Sequence, residues 1–242
     1  MIEEVVLFCG GKPLHPGSVP KPLTLMPNSI SILGNYLRQK FLREVNQITL
    51  LAEEDYVEKL MSVTHGNELS HLNIRCITLQ NGSSTFNKVH TLLSSKVKLA
   101  SSLLFTYPDI FYFGDFAEIF SDADLDSMFV TGVYLQSRFP EITFNPYTGD
   151  IRSISLRPPR VPASSSTIFA GHFFARYEQI RLDWEKFCSA NRLRNGLSFE
   201  GDFFKYLVNE KKLKVQILGR KWIKADSSNE MSLILDLLSS DN

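Results

Sequence analysis

The sequence has few cysteines, no excess of either charge and no long apolar run, and each shortage narrows what the chain can be. Cys9, Cys76 and Cys188 show no metal-ligand spacing. Each sits among apolar neighbours, so they read as reduced core thiols of a cytoplasmic protein. Lysine plus arginine number 26 and aspartate plus glutamate 26, for a formal net charge of zero. That balance speaks against nucleic acid or an anionic membrane surface as partner. No apolar stretch approaches the roughly 20 residues that span a bilayer. The acidic start, Met-Ile-Glu-Glu, does not read as a signal peptide. No internal repeat or low-complexity tail is present. A chain of 242 residues accommodates one large α/β domain or two small ones.

What the chain does contain is concentrated near its start. Val5, Val6, Leu7, Phe8 and Cys9 form an unbroken apolar run, as expected for a strand buried on both faces of a parallel sheet. Gly10 and Gly11 follow. Paired glycines after a strand either close a tight turn or let the backbone offer N–H groups to phosphate oxygens. After a short loop comes Pro20-Lys21-Pro22-Leu23. The prolines fix φ on either side of Lys21 and present its ammonium with little entropy left to lose.

The rest alternates between helical and strand patterns. Apolar residues Ile30, Leu33, Leu37 and Phe41 predict a helix over 29–45, capped by Asn28 or Ser29. Strands are expected at 48–52 and 73–79, with a helix at 55–63 between them. This succession is the pattern of a doubly wound parallel sheet, which binds ligands at the carboxyl ends of its strands. The polar loop 80–85 after the third strand either contacts a nucleotide or is an ordinary capped turn, with Ser84 or Thr85 as cap. A fourth strand, 102–107, runs into Pro108-Asp109, where an α/β fold can place a metal-binding carboxylate or simply a turn. Further expectations are a helix near 122–128, a strand at 129–135, a hairpin of 138–145 and 151–156, a loop at 163–167, and a strand at 167–174 containing Gly171. Helices at 177–188 and 203–210, strands at 213–218 and 221–225, and a closing helix at 227–238 complete the reading.

Laid out in this order, the motifs resemble the sugar-1-phosphate nucleotidyltransferase family, and within it the glucose-1-phosphate cytidylyltransferase branch. The resemblance rests on Val5-Val6-Leu7-Phe8-Cys9-Gly10-Gly11, Pro20-Lys21-Pro22-Leu23 and Leu104-Phe105-Thr106-Tyr107-Pro108-Asp109. It continues through Ser137-Arg138-Phe139, Asp150-Ile151-Arg152-Ser153 and Arg157-Pro158, then Ala170-Gly171-His172-Phe173-Phe174, and ends with Trp222-Ile223-Lys224-Ala225-Asp226-Ser227. It covers nearly the whole chain. It implies one domain, 1–242, with a Rossmann-like, doubly wound, mostly parallel mixed sheet. Helices cover both faces, and a small β-hairpin insertion, about 137–166, lies over the acceptor site. The implied reaction moves a nucleotidyl group from a nucleoside triphosphate, CTP first, to a sugar 1-phosphate or related phosphorylated acceptor, releasing pyrophosphate, in the supply of activated sugars for surface polysaccharides. The resemblance implies a magnesium ion held by Asp109 and Asp226, each expected just after a strand of one sheet. It makes Lys21 a phosphate-stabilising catalytic group and turns Gly10 and Gly11 toward the nucleotide. Gln80, Gly82 and Ser83 fall near the base, and Arg157 and Gly171 on the acceptor side. A homo-oligomer is compatible with it.

The departures are as informative. Where the family carries Leu-Gly-Thr-Arg after the two glycines, this chain has Lys12-Pro13-Leu14-His15 and no arginine. Lys12 is the expected replacement, since His15 is mostly neutral at pH 7.5 with an ordinary pKa of about 6.5. The family's Glu-Lys-Pro is Leu156-Arg157-Pro158, and its sugar-side asparagine is Phe169. The acceptor side is thus altered more than the metal side. The competing expectation is a degenerate, non-catalytic nucleotide-binding or assembly module of the same fold.

Overall fold

The structure is a computed structural model and describes residues 2–10, 19–65, 69–114, 127–133, 141–145, 148–155, 166–191, 196–218 and 222–240. Gly11, Lys12, Arg157, the rest of the loop 12–18, positions 122–126 of the helix expected near 122–128 and the segment 157–160 lie outside the described residues, while Met128, the last of that expected helix, begins a strand.

The first apolar run forms strand β1, Glu4–Cys9, buried along its whole length. It pairs in parallel with β2, Gln47–Glu53, on one side and with β4, Ser102–Thr106, on the other. Strand β3, Ile74–Leu79, extends the sheet in parallel from β2. The long β9, Ser166–Arg176, runs antiparallel to β4 and to β6, Met128–Val133, and β10, Leu213–Ile217, is parallel to β6. The order β10-β6-β9-β4-β1-β2-β3 makes a mixed α/β sheet. The hairpin β7, Glu141–Phe144, and β8, Ile151–Ser155, joins it by pairing β7 with the start of β9.

Strand alternation sends successive side chains to opposite faces, and each face has its own core. Val5, Leu7 and Cys9 join Ile48, Leu50 and Leu104 on one face. Helices α1, Ile32–Tyr36, α2, Val57–Thr64, and α6, Ser228–Ser240, bury side chains there. Val6 and Phe8 join Leu51, Leu103 and Phe105 on the other face. That face is covered by α3, Thr85–Ser94, α4, Tyr177–Ala190, and α5, Phe204–Asn209. Both faces are therefore covered, as the continuous apolar strands require. All three cysteines are free; Cys9 is buried, while Cys76 and Cys188 are only half-buried.

Two expectations change. The helix predicted over 29–45 is two short pieces, α1 and a 3₁₀ turn Lys40–Glu44. Gln39 between them is extended, its side-chain Nε2 donating to the Tyr36 carbonyl at 3.3 Å and its Oε1 accepting from the Tyr112 amide at 3.1 Å. A buried tie to another strand outweighs helix periodicity there. The cap is Ser31, whose hydroxyl accepts from the Gly34 amide at 3.0 Å, because Ser29 is held at φ 61°. The second change concerns the strand before Asp226. It is β11, Trp222–Lys224, and it does not belong to the main sheet. It pairs antiparallel with β5, Ile110–Tyr112, in a separate two-stranded ribbon.

Candidate active site

Strands β1 to β4 are mutually parallel, so the loops that follow them leave the sheet along one edge. Asp109 stands at this edge after β4, in a turn closed by the Ile110 amide donating to the Tyr107 carbonyl at 3.1 Å. The ribbon register places Lys224 opposite Ile110. The Ala225 amide then donates to the Asp109 carbonyl at 2.8 Å. That bond brings Asp226 beside Asp109. The Asp226 amide in turn donates to Glu230 Oε2 in α6 at 3.2 Å.

Lys21 starts a 3₁₀ turn, Lys21–Leu23, with Pro20 as its cap and Pro22 inside. Its ammonium lies 2.7 Å from Asp109 Oδ2 and also contacts Asp226 Oδ1. Lys224 reaches the same carboxylates, 3.3 Å from Asp226 Oδ2 and 3.9 Å from Asp109 Oδ2. Burial pulls the Lys21 ammonium down, but the charges and hydrogen bonds of Asp109 and Asp226 outweigh it, and its pKa lies above the ordinary lysine value. The four side chains form a charge-balanced, partly buried quartet. Lys224 was not singled out from the sequence, because nothing in a Trp-Ile-Lys-Ala-Asp stretch says that the lysine folds back over the aspartate.

Gly171 sits in β9 beside a shift in the β6–β9 register, at φ 91°. A Cβ there would lie 2.0 Å from Ile110 Cδ1, so a side chain would strain the backbone and force Ile110 to shift, and packing of the ribbon against β9 already favours glycine. The Trp222 indole donates to the Ala170 carbonyl at 2.7 Å and clamps the ribbon from its other strand. Next to it His172 is buried, its Nδ1 3.0 Å from Thr131 Oγ1, and burial lowers its pKa to about 3. The imidazole is neutral at any ordinary pH.

Tyr107, one residue past β4, packs on Phe8 with ring centroids 5.1 Å apart, and its hydroxyl donates to Glu200. Burial, with the Glu200 charge added, holds this phenol well above its usual pKa. Glu200 lies in a π turn, Phe199–Phe203, where Ser198 accepts from the Gly201 amide at 2.9 Å and Asp202 accepts from the Ser198 amide at 2.9 Å. The Ser-Phe-Glu-Gly-Asp sequence carries the signal of such a start, a serine followed by an acid within one turn.

In the loop between β3 and α3, Ser84 caps α3, accepting from the Asn87 amide at 3.2 Å. The Ser83 hydroxyl donates to the Gln80 carbonyl at 2.6 Å, and the Gln80 side chain is exposed. Gly82 has φ 74° and donates its amide to Glu53 Oε2 at 2.9 Å. Glu53 Oε1 pairs with Lys88 at 3.3 Å. A Cβ on Gly10 would meet Lys88 Nζ at 2.5 Å and Glu53 Oε1 at 2.8 Å. The fold thus gathers Gly10, Gln80, Gly82 and Ser83 at the sheet edge that also carries Lys21, Asp109 and Asp226. Glu53 and Lys88 escaped the sequence reading because isolated charged residues usually mark solvated faces.

No family model and no curated protein matches the chain by sequence. Solved structures do match over its full length. HddC from Yersinia pseudotuberculosis superposes with a TM-score of 0.73 at 16% identity, covering 100% of both chains. The inositol-1-phosphate CTP transferase from T. maritima gives 0.72 at 13% identity, covering 98% of this chain and 95% of that one. The chain has the fold of the sugar-phosphate nucleotidyltransferases. HddC complexed with GMP-PN gives 0.69 at 17% identity, over 97% of this chain and 99% of that one. In this nucleotidyltransferase fold the carboxylate–lysine quartet lies at the carboxyl edge, where open α/β sheets take their ligands. Among the described residues no helix is long and apolar enough to cross a membrane.

Proposed function

We propose that the chain transfers a nucleotidyl group from a nucleoside triphosphate, CTP first, to a sugar 1-phosphate or related phosphorylated acceptor. An acceptor phosphate oxygen attacks the α-phosphorus; a P–O bond forms there, and the bond to the bridging oxygen breaks as pyrophosphate leaves. A phosphate monoester has its second pKa near about 6 and is mostly ionised at neutral pH, so no general base is required. The work is positioning and charge neutralisation.

The observation that carries this reading is the convergence of Lys21, Asp109 and Asp226 on one point of the sheet edge. Magnesium is bound by one or two carboxylates with water and substrate phosphates completing its shell, and the adjacent carboxylates of Asp109 and Asp226 offer that donor set once the lysine ammoniums give way. No cluster of three or more metal-ligating side chains occurs among the described residues, so substrate oxygens and water would complete the shell. Magnesium would supply charge neutralisation on the phosphate oxygens. Lys21, between its two prolines, then turns its ammonium to the phosphates. Lys12, directly after the glycines, takes the pyrophosphate side in place of the family's arginine. Gly10 and Gly11 face the nucleotide, and Gln80, Gly82 and Ser83 lie near its base. Arg157 and Gly171 serve the acceptor side. A product of this kind would feed the assembly of surface polysaccharide.

Lys224 favours a second reading, because a second ammonium on the carboxylate pair competes with a divalent cation. In that case the chain binds nucleotide without turning it over. Pyrophosphate release from CTP, UTP, dTTP, ATP and GTP, with magnesium and a panel of phosphorylated acceptors, separates the two. Release that depends on acceptor and metal supports the enzyme. Nucleotide binding with no release under any combination overturns it in favour of the module.

A further inference from the structure

Glu53 and Lys88 form an ion pair that the proposed chemistry does not use. Glu53 is only 6% exposed and Lys88 only 4%. They come from the carboxyl end of β2 and the first turn of α3, and they cross Gly10 so closely that a Cβ there would force the pair to shift. A buried pair of this kind is poor stabilisation, since apolar replacement is often neutral or favourable. Holding the Gly82 amide does not explain it either, because a glutamine oxygen would accept that bond without a charge. The hydrogen-bonding capacity is far from spent. An ammonium has three N–H donors and a carboxylate about four lone-pair sites. Among the described residues Lys88 Nζ is paired with Glu53 alone, and Glu53 accepts only from Lys88 and Gly82.

We propose that the Glu53–Lys88 pair reads the polar edge of the nucleotide base and selects cytosine or guanine over uracil or thymine. The inference rests on the nucleotide-binding reading above and adds which bases the site accepts. Cytosine presents an amino donor beside two acceptors, and guanine an acceptor beside two donors. Either edge can give its donors to the Glu53 carboxylate and its acceptors to the remaining N–H groups of Lys88. Uracil and thymine flank their single N–H with carbonyls on both sides. Donating that N–H to Glu53 brings a carbonyl oxygen against the carboxylate.

The test is calorimetric titration of the full chain with CTP, GTP, UTP and dTTP in the presence of magnesium, for the wild type and Glu53→Gln. The wild type should bind CTP or GTP roughly tenfold to a hundredfold tighter than UTP and dTTP. Glu53→Gln keeps an acceptor for the Gly82 amide but leaves the Lys88 ammonium without its counter-charge, so its melting temperature should fall while the preference collapses towards unity. A merely structural pair would leave the ratio between bases unchanged. Should that variant not fold, CTP against N4,N4-dimethyl-CTP on the wild type decides, because the methyl groups remove the amino donors. Wild-type binding with no preference for an amino-bearing base, or a preference that survives Glu53→Gln, overturns the inference and leaves the nucleotide reading standing. Binding of no nucleotide at all overturns both.

Discussion

The Ala225 amide donates a 2.8 Å hydrogen bond to the carbonyl of Asp109, and through it the ribbon of β5 and β11 sets two distant carboxylates side by side. Lys21 then meets both, although 205 residues separate it from Asp226. The site is built by a two-stranded ribbon leaning on the sheet rather than by the sheet alone.

Asp109→Asn and Asp226→Asn should each lower turnover by roughly a hundredfold or more, with melting temperatures little changed because both side chains are partly solvated. Each variant should also weaken divalent-cation binding. Pyrophosphate-release kinetics and a manganese titration followed by paramagnetic resonance check the two effects. Full activity in either variant would remove that carboxylate from the chemistry.

Lys224→Met should strengthen divalent-cation binding by roughly threefold to tenfold at low salt, with the gain shrinking as salt screens the charges. The reason is that the ammonium 3.3 Å from Asp226 competes for the same carboxylate. Manganese affinity measured at two ionic strengths tests this. An unchanged affinity would show that Lys224 gives way to the cation without cost.

Gly171→Ala should destabilise the fold by about 2–4 kcal/mol, from backbone held at φ 91° and from the clash with Ile110. The nearest atom is Ile110 Cδ1, which valine lacks. Adding Ile110→Val should therefore recover about 1 kcal/mol and leave the backbone part. Denaturant melts of the single and double variants separate these contributions.

His172 makes stability depend on pH. Its folded pKa of about 3 lies below the ordinary 6.5, so between these values the unfolded chain binds a proton that the folded chain does not. Stability therefore rises with pH across that window, by about 1.4 kcal/mol per unit from this group. It falls as the solution is acidified below about 6.5. Urea melts from pH 7 to 4 should show the slope, and His172→Gln should lose this part of it.

The sheet was legible in the sequence because strands buried on both faces are written as apolar runs. Val5 to Cys9 and Leu103 to Phe105 leave little else to be. The ends of those strands, with Gly10, Lys21 and Asp109, pointed to a ligand edge for the same reason. Three things waited for the tertiary structure. Gln39 ends a helix by bonding to Tyr112, a long-range contact that local periodicity cannot express. Asp226 reaches Asp109 through the pairing of β11 with β5, and pairing partners are chosen by packing rather than by either segment alone. Glu53 and Lys88 are two charged letters 35 residues apart. Only burial against Gly10 turns them into a pair, because desolvation belongs to the folded surroundings of a charge and not to the residue.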